Sequence, residues 1–263
     1  MPLDTDGTIE TVGETTFPVK PQYRLSVGVG LLAFALYLGA QFLGVIGYTF
    51  FLAATHGFGA AQEMVEGDLV SVTIVGLGTS FVVVLLWMWF YILQHGVEFA
   101  NQIGWRRSKY PAMNTVLLVA TTYVAVTFLT ATYSQFVIPL FVDDPQSGMA
   151  EQMMAQLRGA DTLLTTIAFS LVVAIVAPIL EEIVFRGYLQ SALKTTMPAW
   201  AAIVTASSIF ASVHGSLTLW PVYFMLGFGM GFVYDRTGSL KTAIAYHMAN
   251  NMIAVGTMLM LSE

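Results

Sequence analysis

Seven long stretches of the chain contain no charged residue, and each is long enough to cross a membrane as a helix. They cover residues 25–55, 69–94, 110–142, 162–180, 195–213, 215–234 and, if His247 is tolerated, 242–262. A hydrocarbon core of about 30 Å requires roughly 20 helical residues. The first and third stretches are long enough to leave room for an eighth span. The pattern therefore predicts an all-α, polytopic transmembrane helical bundle of seven to eight spans.

The composition supports a membrane protein and excludes several chemistries. Hydrophobic residues make up 56% of the chain and charged residues only 10%, whereas soluble domains carry roughly a quarter charged residues. The absence of cysteine excludes disulfides, thiolate metal sites and a cysteine nucleophile. The net charge of −6 argues against a nucleic-acid partner. No internal repeat supports an inverted-repeat transporter.

The chain divides into three segments by polarity. Residues 1–22 are polar and acidic and lack the basic region of a secretory signal, which predicts a flexible cytoplasmic tail. Residues 23–161 are predicted to form the N-terminal transmembrane helices and loops, and residues 162–263 the catalytic transmembrane core.

The basic residues indicate the orientation. With a cytoplasmic N-terminus, nine of the ten basic residues fall on or toward the cytoplasmic side, and Arg158 alone falls outside. The positive-inside rule expects this distribution. The nine are Lys20, Arg24, Arg106, Arg107, Lys109, Arg186, Lys194, Arg236 and Lys241.

Two glutamates and an arginine, Glu181, Glu182 and Arg186, follow directly after the fourth apolar stretch. The residues after Glu181 remain apolar and helical as far as Lys194, about 20 Å further along the axis. The charged group is therefore predicted to lie inside the membrane. Glu182 and Arg186 are spaced i,i+4, which favours a structural ion pair. Glu181 points about 100° away from this pair and lacks a local partner, which marks it as a functional candidate.

Two histidines are predicted to reach a similar depth. His214 lies about 24 Å along a helix beginning near Pro198, and His247 about 12 Å past Ser239. A single histidine on an apolar helix is more often a packing residue than a catalytic one. Asn251 lies on the same helix face as His247 and offers an amide donor beside the imidazole. Together, these groups predict a polar intramembrane cavity.

Three motifs follow one another along the chain: "EEIVFRG", "FASVH" and "HMANN". In this order they resemble the CAAX protease and bacteriocin-processing (CPBP, or Abi) family of intramembrane endopeptidases, which includes the type II prenyl-protein processing proteases. The resemblance implies that Glu181 and His214 activate water, that His247 and Asn251 stabilise the oxyanion, and that Glu182 and Arg186 support the site. It also implies a peptide or prenylated CAAX-type protein as the substrate.

Other functions remain open at this point. Glu181, His214 and His247 could instead bind Zn²⁺ as a metalloprotease site with water in the fourth position, so the cofactor is either zinc or none. A different class of protein, a proton-coupled transporter, would use the same residues as a relay. A third alternative is a non-enzymatic immunity protein, which would have the same fold without catalytic activity. An acidic, cysteine-free chain is expected in a prokaryotic plasma membrane.

Overall fold

The computed structural model describes residues 25–141 and 162–261. The tail predicted for residues 1–22 lies outside the described residues, as do residues 143–161 between the third and fourth apolar stretches. The described residues contain no strand, which confirms the all-α class. Their helices are α1 (Val27–His56), α2 (Phe58–Gly67), α3 (Leu69–Gln102), α4 (Ala112–Phe136), α5 (Leu163–Leu193), α6 (Ala199–Ser212), α7 (Trp220–Thr237) and α8 (Leu240–Leu261).

Four helical segments are long and apolar enough to span a membrane: Val27–His56, Leu69–Gln102, Ala112–Leu140 and Leu163–Leu193. The chain is thus an integral membrane protein. The seven predicted stretches correspond to α1 and α3–α8, whereas α2 lies in the loop between the first two stretches. Helices α2, α6, α7 and α8 do not meet the length and composition of the other four. Helices α2 and α6 are short, whereas α7 ends in charged residues and α8 carries a histidine and two asparagines.

Helix α5 lies at the centre of the bundle, where it contacts α1, α6 and α8. Every residue from 180 to 190 on it is buried. The glutamates therefore lie in the interior of a long helix, as the depth estimate predicted, and not at its end. Two π-helical segments, Val172–Val176 and Ile183–Gln190, interrupt the α-helical hydrogen bonding. Such insertions are common at functional sites.

Three glycines allow α7 to pack closely against its neighbours. A Cβ atom on Gly227 would lie 3.1 Å from the Phe210 ring, and one on Gly231 would lie 2.8 Å from the Gln190 side chain. A Cβ on Gly229 would lie 2.8 Å from a methyl group of Val126. These glycines therefore allow close packing of α7. The carbonyl oxygens of Gly227 and Gly231 also accept hydrogen bonds from side chains of α5.

Candidate active site

A cavity of ≈ 270 Å³ opens between α3, α5, α6, α7 and α8. Glu181 lines it from α5, His214 from the turn after α6, and both His247 and Asn251 from α8. These four side chains, which lie up to about 70 positions apart in the sequence, thus line one cavity. The remaining wall is mostly apolar and includes Leu77, Leu226, Met230 and Met258.

Glu182 is fully buried and binds two partners through the same oxygen. Its Oε1 accepts a hydrogen bond from Arg186 Nη1 at 2.8 Å, which is the ion pair predicted from the i,i+4 spacing. The same Oε1 lies 3.0 Å from Nδ1 of His247. Glu182 therefore orients a histidine of the cavity in addition to neutralising Arg186, and the helix spacing alone did not reveal this contact.

The contact with Glu182 fixes the orientation of His247. Because a carboxylate can only accept, Nδ1 of His247 carries the proton in this hydrogen bond. Its Nε2 then faces the cavity, 3.8 Å from Oε2 of Glu181.

Arg186 anchors this group to two other helices. Its Nη2 donates to the carbonyl oxygen of Gly227 on α7 at 2.8 Å. Its guanidinium group lies over the ring of Phe210 on α6, with 4.9 Å between the guanidinium carbon and the ring centroid. The Phe210 ring in turn contacts His214 and His247, with centroid distances of 4.5 and 6.1 Å. Arg186 and Phe210 together hold both histidines in place.

His214 lies just beyond the end of α6 and not inside a helix. The prediction placed it on a continuous helix from Pro198, but α6 ends at Ser212 and Gly215 adopts a positive φ of 71°. Glycine tolerates this conformation, which turns the chain. Nδ1 of His214 donates to the carbonyl oxygen of Phe210 at 2.7 Å. Nε2 is then left as the hydrogen-bond acceptor of a neutral imidazole.

Asn251 is held by a carbonyl group that Pro178 leaves unpaired. In the π-helical segment of α5, the N–H of Ala177 donates to the carbonyl of Val172. The next carbonyl in this register, that of Val173, faces Pro178, which has no N–H. Asn251 Nδ2 donates to this carbonyl at 2.9 Å. Asn251 thus lines the same cavity as His247, and one N–H of its amide is fixed by this bond to α5.

Two tyrosines near the site were not predicted from the sequence. Tyr37 of α1 is buried, and its hydroxyl lies close enough to the Glu181 carboxylate to interact with it electrostatically. Tyr223 of α7 stacks on His214, with 4.2 Å between the ring centroids. Neither belongs to the three motifs. A tyrosine within an apolar stretch gives no signal that distinguishes it from an ordinary packing residue.

Residues 163–253 match the family model described as "Type II CAAX prenyl endopeptidase Rce1-like". The resemblance inferred from the motifs is thereby confirmed for this segment. All the polar residues of the cavity lie within the Rce1-like segment, whereas Tyr37 lies outside it.

Two curated proteins are similar to part of this chain. "Putative membrane peptidase YdiL" of Bacillus subtilis (strain 168) is 36% identical over 85 residues, which are 32% of this chain and 35% of that protein. "Membrane-embedded CAAX protease MroQ" of Staphylococcus aureus (strain USA300) is 38% identical over 93 residues, or 33% of this chain and 38% of that protein. The matched regions thus span little more than a third of these relatives. No solved structure matches the chain.

Zinc is the alternative cofactor considered for Glu181, His214 and His247. Within residues 25–141 and 162–261, no group of three histidine, aspartate or glutamate side chains is arranged to hold a metal ion. Nε2 of His247 does face the Glu181 carboxylate at 3.8 Å, while its Nδ1 is held by Glu182, a pairing that metal-ligating histidines also show. The zinc alternative therefore stays a prediction, and the chemistry below is written with protein groups alone.

Proposed function

We propose that this chain is an intramembrane endopeptidase in which Glu181 and His214 activate water. The observation that carries the proposal is the shared cavity, which Glu181, His214, His247 and Asn251 all line. Peptide hydrolysis requires a base for water and donors directed at the developing oxyanion. In this proposal, Glu181 and His214 supply the base, and His247 and Asn251, both on α8, supply the donors.

The first step is attack of water on the scissile carbonyl carbon. Glu181 accepts one proton from the water, and Nε2 of His214 accepts a hydrogen bond from the other. The bond from His214 Nδ1 to the Phe210 carbonyl keeps Nε2 in this role. The new C–O bond converts the carbonyl oxygen into an oxyanion. In the second step the C–N bond breaks, and the leaving amine receives the proton held by Glu181.

The oxyanion requires donors in the same cavity. His247, protonated and held by Glu182, presents an Nε2–H group toward the cavity. Asn251 uses one N–H for the Val173 carbonyl, and a primary amide has a second N–H that can bind the oxyanion. Removal of a single donor of this kind from a protease costs about 10²–10³ in kcat.

The proposed substrate is a peptide near the C-terminus of a prenylated CAAX-type protein or another membrane-associated protein. Support comes from the Rce1-like segment and from the name of the S. aureus relative. The apolar part of the cavity wall suits a substrate presented from the bilayer. We also propose a prokaryotic plasma membrane as the location, with the N-terminus in the cytoplasm.

The test is cleavage of a farnesylated CAAX peptide by the purified full-length protein. We expect Glu181→Gln and His214→Ala each to lower kcat at least 10²-fold, the lower range for a positioned acid–base group. Glu63→Gln is the matched control, because Glu63 is exposed on α2 and does not line the cavity. Cleavage that survives both cavity substitutions would overturn the assignment. Proton flux into liposomes without any cleavage would favour the transporter.

Chelation distinguishes this mechanism from the zinc-dependent one. Because Glu181, His214 and His247 do not form a common ligand set, we expect cleavage to persist after prolonged EDTA treatment and dialysis. Metal analysis of the purified protein accompanies the assay. Loss of activity on chelation, with recovery on adding Zn²⁺, would establish the metalloprotease instead.

A further inference from the structure

A second cavity, of ≈ 560 Å³, lies between α4 and α8, on the side of α8 opposite α5. Small residues of α8, namely Thr242, Ala245 and Ala249, face Val119 and Tyr123 of α4 across it. Helix α4 packs along α7 and meets α8 at the ring contact of Tyr123 with Tyr246, with 6.0 Å between the centroids, so much of the space between α4 and α8 remains open as a groove. Apart from one end, the lining is almost entirely apolar.

The groove has the length of one lipid leaflet. It follows α8 from Thr242 to Ile253, a rise of about 16 Å at 1.5 Å per residue. Half of a hydrocarbon core is about 15 Å thick. A single acyl chain entering at one end would therefore reach the middle of the membrane within this groove.

The end of the groove near Thr242 is basic and structurally fixed. Arg107, from the loop between α3 and α4, and Lys241, from the start of α8, both line it. The α3–α4 loop is bonded to the α7–α8 turn: Ser239 Oγ donates to the Arg106 carbonyl at 2.6 Å, and Leu240 N to the Gly104 carbonyl at 2.7 Å. The two cations are thus held on connected backbone segments and not on independent loops.

These cations have no acidic partner within the described residues. The salt bridges found there use Arg186, Lys194 and His247 as their cationic groups. Lys241 lies over the ring of Trp105, with 5.3 Å between Nζ and the ring centroid, which leaves its positive charge uncompensated. The hydroxyl group of Ser108 lies at the same end, whereas the hydroxyl of Ser239 is already bonded to the Arg106 carbonyl.

We propose that this groove binds one anionic phospholipid, with its phosphate between Arg107 and Lys241 and an acyl chain along α4 and α8. The two uncompensated charges select an anionic headgroup, and the apolar groove of one-leaflet length accepts the chain. Basic pockets between transmembrane helices bind anionic headgroups in this way. A prenyl thioether is uncharged and would not use the two cations. The bound lipid would support the outer side of α8, whose inner side carries His247.

The test measures lipid retained by the purified full-length protein, using native mass spectrometry after adding phosphatidylglycerol or phosphatidylcholine with identical acyl chains. We expect one tightly retained phosphatidylglycerol. The Arg107→Gln/Lys241→Gln variant should bind it roughly 30-fold more weakly, since each basic side chain near a headgroup contributes about 1 kcal/mol. Ala245→Phe fills the groove and leaves both charges, and should reduce retention of the acyl chain.

The matched control is Lys109→Gln/Arg236→Gln, which removes the same charge at the same end of the bundle but from side chains that do not line the groove. We expect its retained phosphatidylglycerol to match wild type. Equal weakening in both double variants would show only general attraction and overturn the proposal. Equal retention of both lipids, or displacement of the lipid by a farnesylated peptide alone, would overturn it as well.

Discussion

At the scale of single residues, the site depends on side chains whose partners lie on other helices. The hydroxyl of Tyr37 on α1 interacts with Glu181, the group we assign as the base. The backbone of Tyr37 is itself held, since Ser80 of α3 donates to its carbonyl oxygen. One oxygen atom from the N-terminal part of the chain thereby helps to orient the carboxylate of the Rce1-like segment.

Tyr37→Phe removes this oxygen and little else. We expect kcat to fall roughly tenfold, about 1.4 kcal/mol, with KM nearly unchanged, because the proposed base loses a polar neighbour in a buried site. Tyr246→Phe is the matched control: this buried tyrosine is next to His247 in sequence, and its hydroxyl has no hydrogen-bond partner within the described residues. Steady-state kinetics on both variants provide the check. Equal kcat values would remove Tyr37 from the mechanism.

Glu182 has two functions that a pair of variants can separate. Glu182→Gln leaves Arg186 buried without its counter-charge, so we expect a loss of about 3–5 kcal/mol in stability together with loss of activity. In Glu182→Gln/Arg186→Met, the buried charge is gone. Thermal stability should therefore return toward wild type, while activity stays low because His247 has lost its carboxylate. Recovery of activity in the double variant would mean that Glu182 serves only Arg186.

At the scale of elements, α5 shows what helix spacing can and cannot predict. The Glu182–Arg186 pair was predicted because both residues lie on one helix face, where geometry is local. The contact of Glu182 with His247 depends on how α5 and α8 are rotated against each other. Sequence periodicity does not fix that rotation. A related limit applies to the π-helical segment: Pro178 in "VVAIVAP" predicts a missing hydrogen bond, but the sequence does not predict that a π-helical turn accommodates it.

Pro178 can be tested as the cause of the Asn251 contact. Pro178→Ala restores an N–H that can donate to the Val173 carbonyl and compete with Asn251 Nδ2. We expect unchanged or higher thermal stability but a kcat lowered roughly tenfold to a hundredfold, because one oxyanion donor loses its position. Pro221→Ala is the control, since Pro221 lies in the first turn of α7, where no intrahelical bond is missing. Equal activities would contradict this role.

At the scale of the whole molecule, the N-terminal helices position a residue of the site although the family match does not include them. Helix α1 packs against both α3 and the second half of α5. A close approach to α5 occurs at Gly30, where a Cβ atom would lie 2.8 Å from Cβ of Ala192 and 3.2 Å from the Tyr188 carbonyl oxygen. The position of Tyr37, two turns further along α1, follows from this contact.

Gly30→Ala therefore tests whether docking of α1 controls the site. We expect a loss of about 1–3 kcal/mol, typical of overpacking, and a kcat reduced in the same sense as in Tyr37→Phe. Gly39→Ala in the same helix is the control, because nothing lies within 4 Å of the added methyl group. It should be neutral or stabilising by about 0.5–1 kcal/mol, since alanine favours helices over glycine.

The clash at Gly30 can also be relieved from the other side. Ala192→Gly removes the nearer of the two atoms, so Gly30→Ala/Ala192→Gly should recover much of the lost thermal stability and kcat. The Tyr188 carbonyl oxygen remains close, and recovery is therefore expected to be partial. Thermal unfolding and cleavage kinetics are measured on the four proteins of this cycle. If Gly30→Ala behaves like Gly39→Ala, the docking of α1 does not set the position of Tyr37 and has no effect on catalysis.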